Sequence, residues 1–106
     1  MTKPIYFVGS ALEDLRAFPR VQRREAGYQL DRVQFGMEPS DWKPMTNVGR
    51  GVREIRIHHE GQYRLVHVAK FGDVVYVLHA FRKKTQKTRK QDIEIAKRRF
   101  QGIRKN

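Results

Sequence analysis

Three strand-like runs are separated by two short polar turns, and this pattern limits most strongly what this chain can fold into. The runs cover Val52–His59, Gln62–Phe71 and a third stretch that begins at Val74, and the turns are Glu60–Gly61 and Gly72–Asp73. Consecutive strands joined by such short turns pair antiparallel. The first run alternates polar and apolar residues, whereas the other two are mostly apolar. We therefore predict that the last two strands are central and covered on both faces.

Helical patterns lie on either side of this predicted sheet. A strand at Ile5–Val8 is followed by a short helix, in which Ser10 and Glu13 have the spacing of a capping box. A second helix is predicted over Pro19–Phe35, and the last helix follows a weaker capping sequence at Thr88–Gln91. Apolar residues recur at helical spacing in both longer helices. They are Ala26, Leu30, Val33 and Met37 in the first, and Ile93, Ala96, Phe100 and Ile103 in the second.

The resulting order β-α-α-β-β-β-α predicts an α+β fold, with two N-terminal helices packed on an antiparallel sheet and a C-terminal helix. A chain of 106 residues predicts a single domain over residues 1–106. The segment Gly36–Gly51 is predicted as a loop because of its prolines and glycines. We expect Trp42 in this loop to fold back onto the core, although stacking on a base is the alternative.

The net charge of +12 favours a polyanionic partner such as nucleic acid or the ribosome. A merely well-solvated basic surface is the alternative interpretation. A solvated face is also the prediction for Arg20, Arg23, Arg24 and Arg32 of the second helix. The chain has no cysteine, no signal-peptide pattern and no apolar run of about 20 residues, so we expect a cytoplasmic protein without a membrane segment.

The third apolar run ends in cations, within the stretch Val74–Lys87. Cations held on a rigid strand lose little entropy when they bind a phosphate. Because side chains alternate along a strand, His79 and Lys83 share one face, and Arg56 and Arg64 of the preceding strands can join them there. The plainer interpretation is that Arg64 is an ion-paired sheet residue and His79 a satisfied core histidine.

Metal and nucleotide motifs are not evident in the sequence. The four histidines lack the paired spacing of a zinc motif, and no glycine-rich phosphate loop follows a strand. Few acidic residues occur in the sheet region, so nothing indicates a pair of catalytic carboxylates. We predict neither a metal nor a cofactor.

Four segments of the chain resemble the phage-derived Gp49-like family, which is the HigB-type branch of the RelE/ParE toxin superfamily. The segments are Gly51–Arg56, Tyr63–Val66, Leu78–Thr88 and Glu94–Arg99. Leu-His-Ala-Phe-x-Lys-Lys-Thr-Gln-Lys-Thr is the specific part, and the match covers nearly the whole chain in order. The resemblance implies a RelE/ParE-like fold, with two helices against a curved antiparallel sheet.

The same resemblance implies that the chain is the toxin of a type II toxin–antitoxin system. Such a toxin would be a ribosome-dependent endoribonuclease that cleaves messenger RNA in the 30S A site. Its expected partner is a HigA-like helix-turn-helix antitoxin that neutralises it. The reaction expected from the resemblance is metal-independent: a ribose 2′-hydroxyl attacks the adjacent phosphate and leaves a 2′,3′-cyclic phosphate and a 5′-hydroxyl. The family's basic positions fall on Arg64, Lys83 and Lys84, and Arg56 and His79 also match its pattern.

These implied roles give each basic residue a place in the reaction. Arg64 and Lys83 would stabilise charge on the phosphoryl oxygens, and His79 would move a proton. The RNA backbone would be held by Arg82, Lys84 and Lys87. Many RelE-type nucleases carry a tyrosine near the C-terminus, but the last twenty residues here contain none, which leaves the general base open. A ParE-like gyrase inhibitor and a non-catalytic basic nucleic-acid-binding module are the alternative functions.

Overall fold

A computed structural model describes residues 2–69 and 73–104, except for the side chain of Arg104. The elements within these residues are β1 (Ile5–Phe7), α1 (Ala11–Arg16), α2 (Arg20–Gln34), β2 (Trp42–Pro44), β3 (Val52–His58), β4 (Gln62–Val68), β5 (Val75–Lys83) and α3 (Lys90–Arg104). The predicted α+β architecture is confirmed. The predicted end of the middle strand, at Phe71, lies outside the described residues.

One short strand was not predicted, because β2 lies in the segment expected to be a loop. Trp42 of β2 pairs with Ile55 of β3, and Pro44 pairs with Arg53. The Trp42 ring is half-buried, and the guanidinium carbon of Arg53 lies 3.9 Å from the ring centroid. A proline is compatible with this strand because β2 forms an edge of the sheet.

The sheet has the strand order β1-β5-β4-β3-β2. The strands β3, β4 and β5 pair antiparallel, as predicted, and β4 and β5 lie inside the sheet. The unpredicted β2 also pairs antiparallel with β3. The departure is β1, which pairs with β5 in parallel through Ile5 and Val75. A parallel pair requires a long connection, and here α1, α2 and three strands lie between β1 and β5.

A bulge at Leu78 changes the alternation of side chains along β5. Val66 of β4 pairs with His79, and the next residue of β4 pairs with Val77, so the ladder passes over Leu78. Leu78 and His79 therefore both face α3, although strict alternation would put them on opposite faces. The Leu78 carbonyl accepts a hydrogen bond of 2.8 Å from Arg99 Nη1 of α3.

Each face of the sheet packs against helices. The α1 and α2 side chains bury one face, where Leu15, Leu30 and Leu65 belong to the same cluster. The other face packs against α3 through Leu78 and Phe100, and we call it the site face. The predicted core stripes are confirmed apart from Met37, which is 49% exposed because α2 ends three residues before it.

Both predicted capping boxes are wrong, since their hydroxyl groups bind elsewhere. Ser10 occupies the N-cap position of α1, but its hydroxyl donates to Asp14 Oδ2 at 2.9 Å and forms no capping bond. The α3 helix begins only at Lys90, so Thr88 lies outside it. The Thr88 hydroxyl instead donates to Glu54 Oε2 at 3.4 Å. In both segments the hydroxyl group thus makes a different hydrogen bond from the capping bond that the sequence predicted.

Among the residues described, no helix combines the length and the apolar character that a bilayer-spanning segment requires.

Candidate functional site

Polar side chains form three rows across the site face, where the strand register places them side by side on β3, β4 and β5. The outermost row consists of His58, Gln62 and Lys83, the second of Arg56, Arg64 and Phe81, and the third of Glu54, Val66 and His79. The register therefore brings Arg56, Arg64, His79 and Lys83, the four residues predicted to converge, onto one face.

Arg64 is held rigidly in the middle of this arrangement. Its side chain is only 3% exposed, Nη1 donates to the Tyr63 carbonyl at 3.0 Å, and Nη2 donates to Gln62 Oε1 at 3.2 Å. Burial lowers the pKa of Arg64 from its ordinary value, and the charge of Arg56 adds to this effect, whereas Glu54 opposes it. Arginine stays protonated despite such a shift, so the site contains a fixed, desolvated positive charge.

Glu54 is the counter-charge that the sequence interpretation missed. Its side chain is fully buried, with Oε1 3.6 Å from Arg64 Nε and 3.8 Å from Lys43 Nζ. Its other oxygen accepts the Thr88 hydroxyl, so the carboxylate connects three strands with the segment before α3. The sequence pattern that could have identified Glu54 is the alternation of side chains along β3, which places Glu54 on the same face as Arg56.

Lys83 lies at the edge of an open pocket of about 370 Å³. The residues that line the pocket are Gln62, Arg64, Lys83, Lys84, Thr85 and Gln86. Burial lowers the pKa of Lys83, and the positive charge of Arg64 lowers it further. Three cations, Arg64, Lys83 and Lys84, thus share a pocket that solvent reaches, which suits a bound anion.

His79 lies on the same face but away from this pocket, beneath the N-terminus of α3. Its Nε2 lies 2.8 Å from Asp92 Oδ1, and its ring stacks on Phe81 with centroids 5.0 Å apart. The second Asp92 oxygen accepts a hydrogen bond from Arg89 Nε at 3.2 Å. With only 5% of its surface exposed, His79 has the environment of a residue that anchors α3 to β5.

The three predicted RNA-binding residues are placed differently. Lys84 lines the pocket beside Lys83, and Lys87 is exposed in the segment between β5 and α3. Arg82 points to the opposite face of β5, where its guanidinium carbon lies 5.6 Å from the centroid of the Tyr63 ring. The exposed cations therefore lie on both sides of the strand end.

An exposed histidine completes the outermost row of the site face, and the sequence interpretation considered it only as a metal ligand. His58 Nε2 lies 2.8 Å from Asp41 Oδ2, and both side chains are nearly half exposed. Asp41 also accepts a backbone hydrogen bond from Arg56 at 2.8 Å. The signal for this residue was again the alternation of β3, which places His58 on the face that carries Arg56.

His67 lies on the opposite face of the sheet, directly across from Arg53 in the register. Burial lowers the pKa of His67 to about 4, and the charge of Arg53 contributes to the shift. The ring is therefore neutral near pH 7. Over residues 2–69 and 73–104, no three His, Asp or Glu side chains are grouped so that they could hold a metal ion.

Comparison with known proteins identifies a family and a fold. The family described as "Phage derived protein Gp49-like (DUF891)" matches residues 13–101. A mutant form of the E. coli toxin RelE in the free state is similar over 97% of this chain and 99% of that chain, with 18% identity and a TM-score of 0.68. The RelBE2 toxin–antitoxin complex of Mycobacterium tuberculosis contains a chain that is similar over 78% of this chain and 100% of its own length, with 18% identity and a TM-score of 0.54. No curated protein sequence matches significantly. The predicted RelE-like fold is confirmed.

Proposed function

The chain belongs to the family of phage-derived Gp49-like proteins, and we propose that it is a HigB-type toxin of a type II toxin–antitoxin system that cleaves messenger RNA on the ribosome. The fold shared with the toxin RelE supports this class. The net charge of +12 supports a polyanionic target.

The observation that carries the proposal is the group of Arg64, Lys83 and Lys84 around an open pocket, with Arg56 paired to Arg64 in the strand register. The Tyr63 carbonyl and the Gln62 side chain fix the guanidinium of Arg64, so little side-chain entropy is lost when it binds an anion. Hydrogen bonds from such a fixed guanidinium to a phosphate are charge-assisted and directional. An RNA phosphodiester fits this combination of charge and access.

In the proposed reaction, a ribose 2′-hydroxyl attacks the adjacent phosphorus, the bond to the 5′-oxygen breaks, and a 2′,3′-cyclic phosphate and a 5′-hydroxyl remain. Arg64 and Arg56 stabilise the negative charge that develops on the non-bridging oxygens. Lys83 gives a proton to the departing 5′-oxygen, and its lowered pKa makes this transfer easier. The reaction needs neither a metal nor another cofactor.

The remaining predicted residues take supporting roles in this proposal. His79 is buried and bound to Asp92, so we assign it to positioning rather than to proton transfer: it fixes Phe81 and the start of α3 beside the pocket. Lys84 and Lys87 bind the RNA backbone next to the pocket, and Arg82 binds it from the other face of β5. The ribosome then holds the message in the correct orientation relative to the site. Because the proposed target is the ribosome, the proposed location of the protein is the cytoplasm.

The proposed inhibitor is a HigA-like helix-turn-helix antitoxin. A structural relative of this chain is part of a toxin–antitoxin complex, which supports an antitoxin partner here. A complementary acidic surface on that partner would speed its encounter with so basic a toxin.

The direct experiment incubates the purified protein with ribosomes carrying a defined message and maps the new RNA ends. We expect cleavage in the A-site codon, and a loss on the order of 100-fold or more for Lys83→Ala, the usual effect of removing a positioned general acid. Arg20→Ala removes an exposed cation on α2, away from the site face, and should cleave at the unchanged rate. Arg64→Lys keeps the buried charge and should lose activity because lysine cannot make two hydrogen bonds in the same plane.

A supercoiling assay with gyrase tests the alternative function on the same preparations. Intact messages together with inhibited gyrase would replace the nuclease with a ParE-like activity. RNA binding without cleavage, unaffected by Lys83→Ala, would leave only a basic binding module.

A further inference from the structure

His58 is the exposed histidine of the site face, and a carboxylate holds its ring. The distance from His58 Nε2 to Asp41 Oδ2 is 2.8 Å, and the two side chains are 43% and 45% exposed. Asp41 directly precedes β2, and its carbonyl accepts the backbone N–H of Arg56, so the pairing of β2 with β3 fixes the carboxylate. A carboxylate on one ring nitrogen orients an imidazole and selects its tautomer.

This contact determines which nitrogen is available for chemistry. A neutral histidine that donates Nε2–H to Asp41 keeps a lone pair on Nδ1, which can accept a proton. The carboxylate also stabilises the imidazolium that forms afterwards. This is the arrangement of a general base with its orienting group.

The strand register places this base opposite the proposed acid. His58, Gln62 and Lys83 are direct neighbours across β3, β4 and β5, so two strand spacings, about 10 Å, separate the backbones of the first and the last. Gln62 lies between them and accepts a hydrogen bond of 3.2 Å from Arg64 Nη2. Arg64 follows Gln62 by two residues on the same face of β4, so a phosphate bound to Arg64 would lie between the strand that carries the histidine and the strand that carries the lysine.

We propose that His58 is the general base of the reaction and that Asp41 is its positioning residue, an inference that rests on the proposed function. His58 Nδ1 takes the proton of the 2′-hydroxyl while the 2′-oxygen forms its bond to phosphorus. The bond from phosphorus to the 5′-oxygen breaks, and that oxygen takes a proton from Lys83 Nζ. Solvent then returns His58 and Lys83 to their starting protonation states.

The competing explanation is that His58 and Asp41 form an ordinary surface ion pair between the end of β3 and the residue before β2. Exposed pairs contribute little to stability, and such a pair would have no effect on cleavage. The two explanations differ in their effect on the rate and on its pH dependence, because a base must be deprotonated in order to act.

The test measures single-turnover cleavage of ribosome-bound message between pH 5.5 and 8.5. We expect the wild-type rate to fall at low pH. His58→Gln should lose on the order of 100-fold or more in rate, the usual contribution of a general base, and should lack this fall at low pH. His58→Gly should recover part of its rate on addition of imidazole. Asp41→Asn should lose less and keep the low-pH limb, since the base is still present but poorly oriented.

The matched control is His59→Gln, because His59 is the next residue, is also exposed, and lies beyond the end of β3. It should cleave like the wild type, and thermal melts should show all four variants folded. Wild-type rates in His58→Gln, or a slow variant with an unchanged low-pH limb and no imidazole rescue, would overturn the assignment while the nuclease function stands. Absence of cleavage by the wild type itself would overturn both.

Discussion

Replacing Glu54 by glutamine removes a buried negative charge with almost no change in side-chain volume. Glu54 is fully buried, Arg64 is 3% exposed, and Glu54 Oε1 lies 3.6 Å from Arg64 Nε. Two unit charges about 3.6 Å apart attract each other by roughly 4–5 kcal/mol at an effective dielectric constant of about 20. The substitution also removes the cost of burying the carboxylate, which offsets part of this attraction. We expect the free energy of unfolding to fall by about 3 kcal/mol.

Urea unfolding followed by circular dichroism measures this loss. For a slope of about 1–3 kcal/mol per molar urea, the midpoint should move down by about 1–3 M. A double-mutant cycle with Arg64→Met separates the pair interaction from the separate effects of each substitution. Removing both charges together should cost less than the sum of the two single changes, because neither charge is then left buried alone.

The matched control is the ion pair between Arg53 and Glu38. Its atoms are closer, with Nη1 2.6 Å from Oε2, but the side chains are 37% and 61% exposed. Solvent screens such a pair, so Glu38→Gln should cost less than about 1 kcal/mol. If Glu38→Gln were as damaging as Glu54→Gln, or if the cycle gave a coupling below about 0.5 kcal/mol, burial would not be what makes the Glu54 pair important.

Two further predictions concern packing and pH. An added Cβ at Gly49 would overlap the buried ring of Phe100, so Gly49→Ala should lose about 1–3 kcal/mol of unfolding free energy. Gly27 lies in open space on α2, so Gly27→Ala should gain about 0.5–1 kcal/mol. The urea midpoints of the two variants must therefore move in opposite directions. His67 has a pKa of about 4 in the folded protein and of about 6.5 in the unfolded chain. The contribution of the neutral ring to stability is therefore complete above pH 6.5 and is lost as the pH falls toward 4, and the free energy of unfolding should drop by roughly 2–3 kcal/mol at pH 4.5. His67→Gln should lose less unfolding free energy than the wild type between pH 7 and pH 4.5, and an equal loss in both proteins would refute the assignment to His67.

The sequence by itself determined the sheet and the face on which the cations meet. Short turns allow only antiparallel pairing of β3, β4 and β5, and alternation then assigns Arg56, Arg64 and Lys83 to one side. These are local rules that hold wherever a strand forms. The apolar stripes of α2 and α3 follow from the same kind of periodicity.

Burial of the charged residues was decided only by the tertiary structure. Glu54 and Arg64 have the same alternating pattern as exposed strand residues, and nothing local distinguishes them from Arg56. They are buried because Thr88 and the segment after β5 fold back over this part of the sheet. The bulge at Leu78 likewise depends on a distant partner, since Arg99 binds the carbonyl there.

The roles of the two histidines show the same division most clearly. Alternation places His58 and His79 on the same face, so the sequence cannot distinguish between them. Their environments differ because of residues far along the chain: Asp92 of α3 covers and binds His79, whereas Asp41 binds His58 at the open edge. Solvent access, which proton transfer requires, is a property of how the helix packs on the sheet, and residue spacing does not encode it.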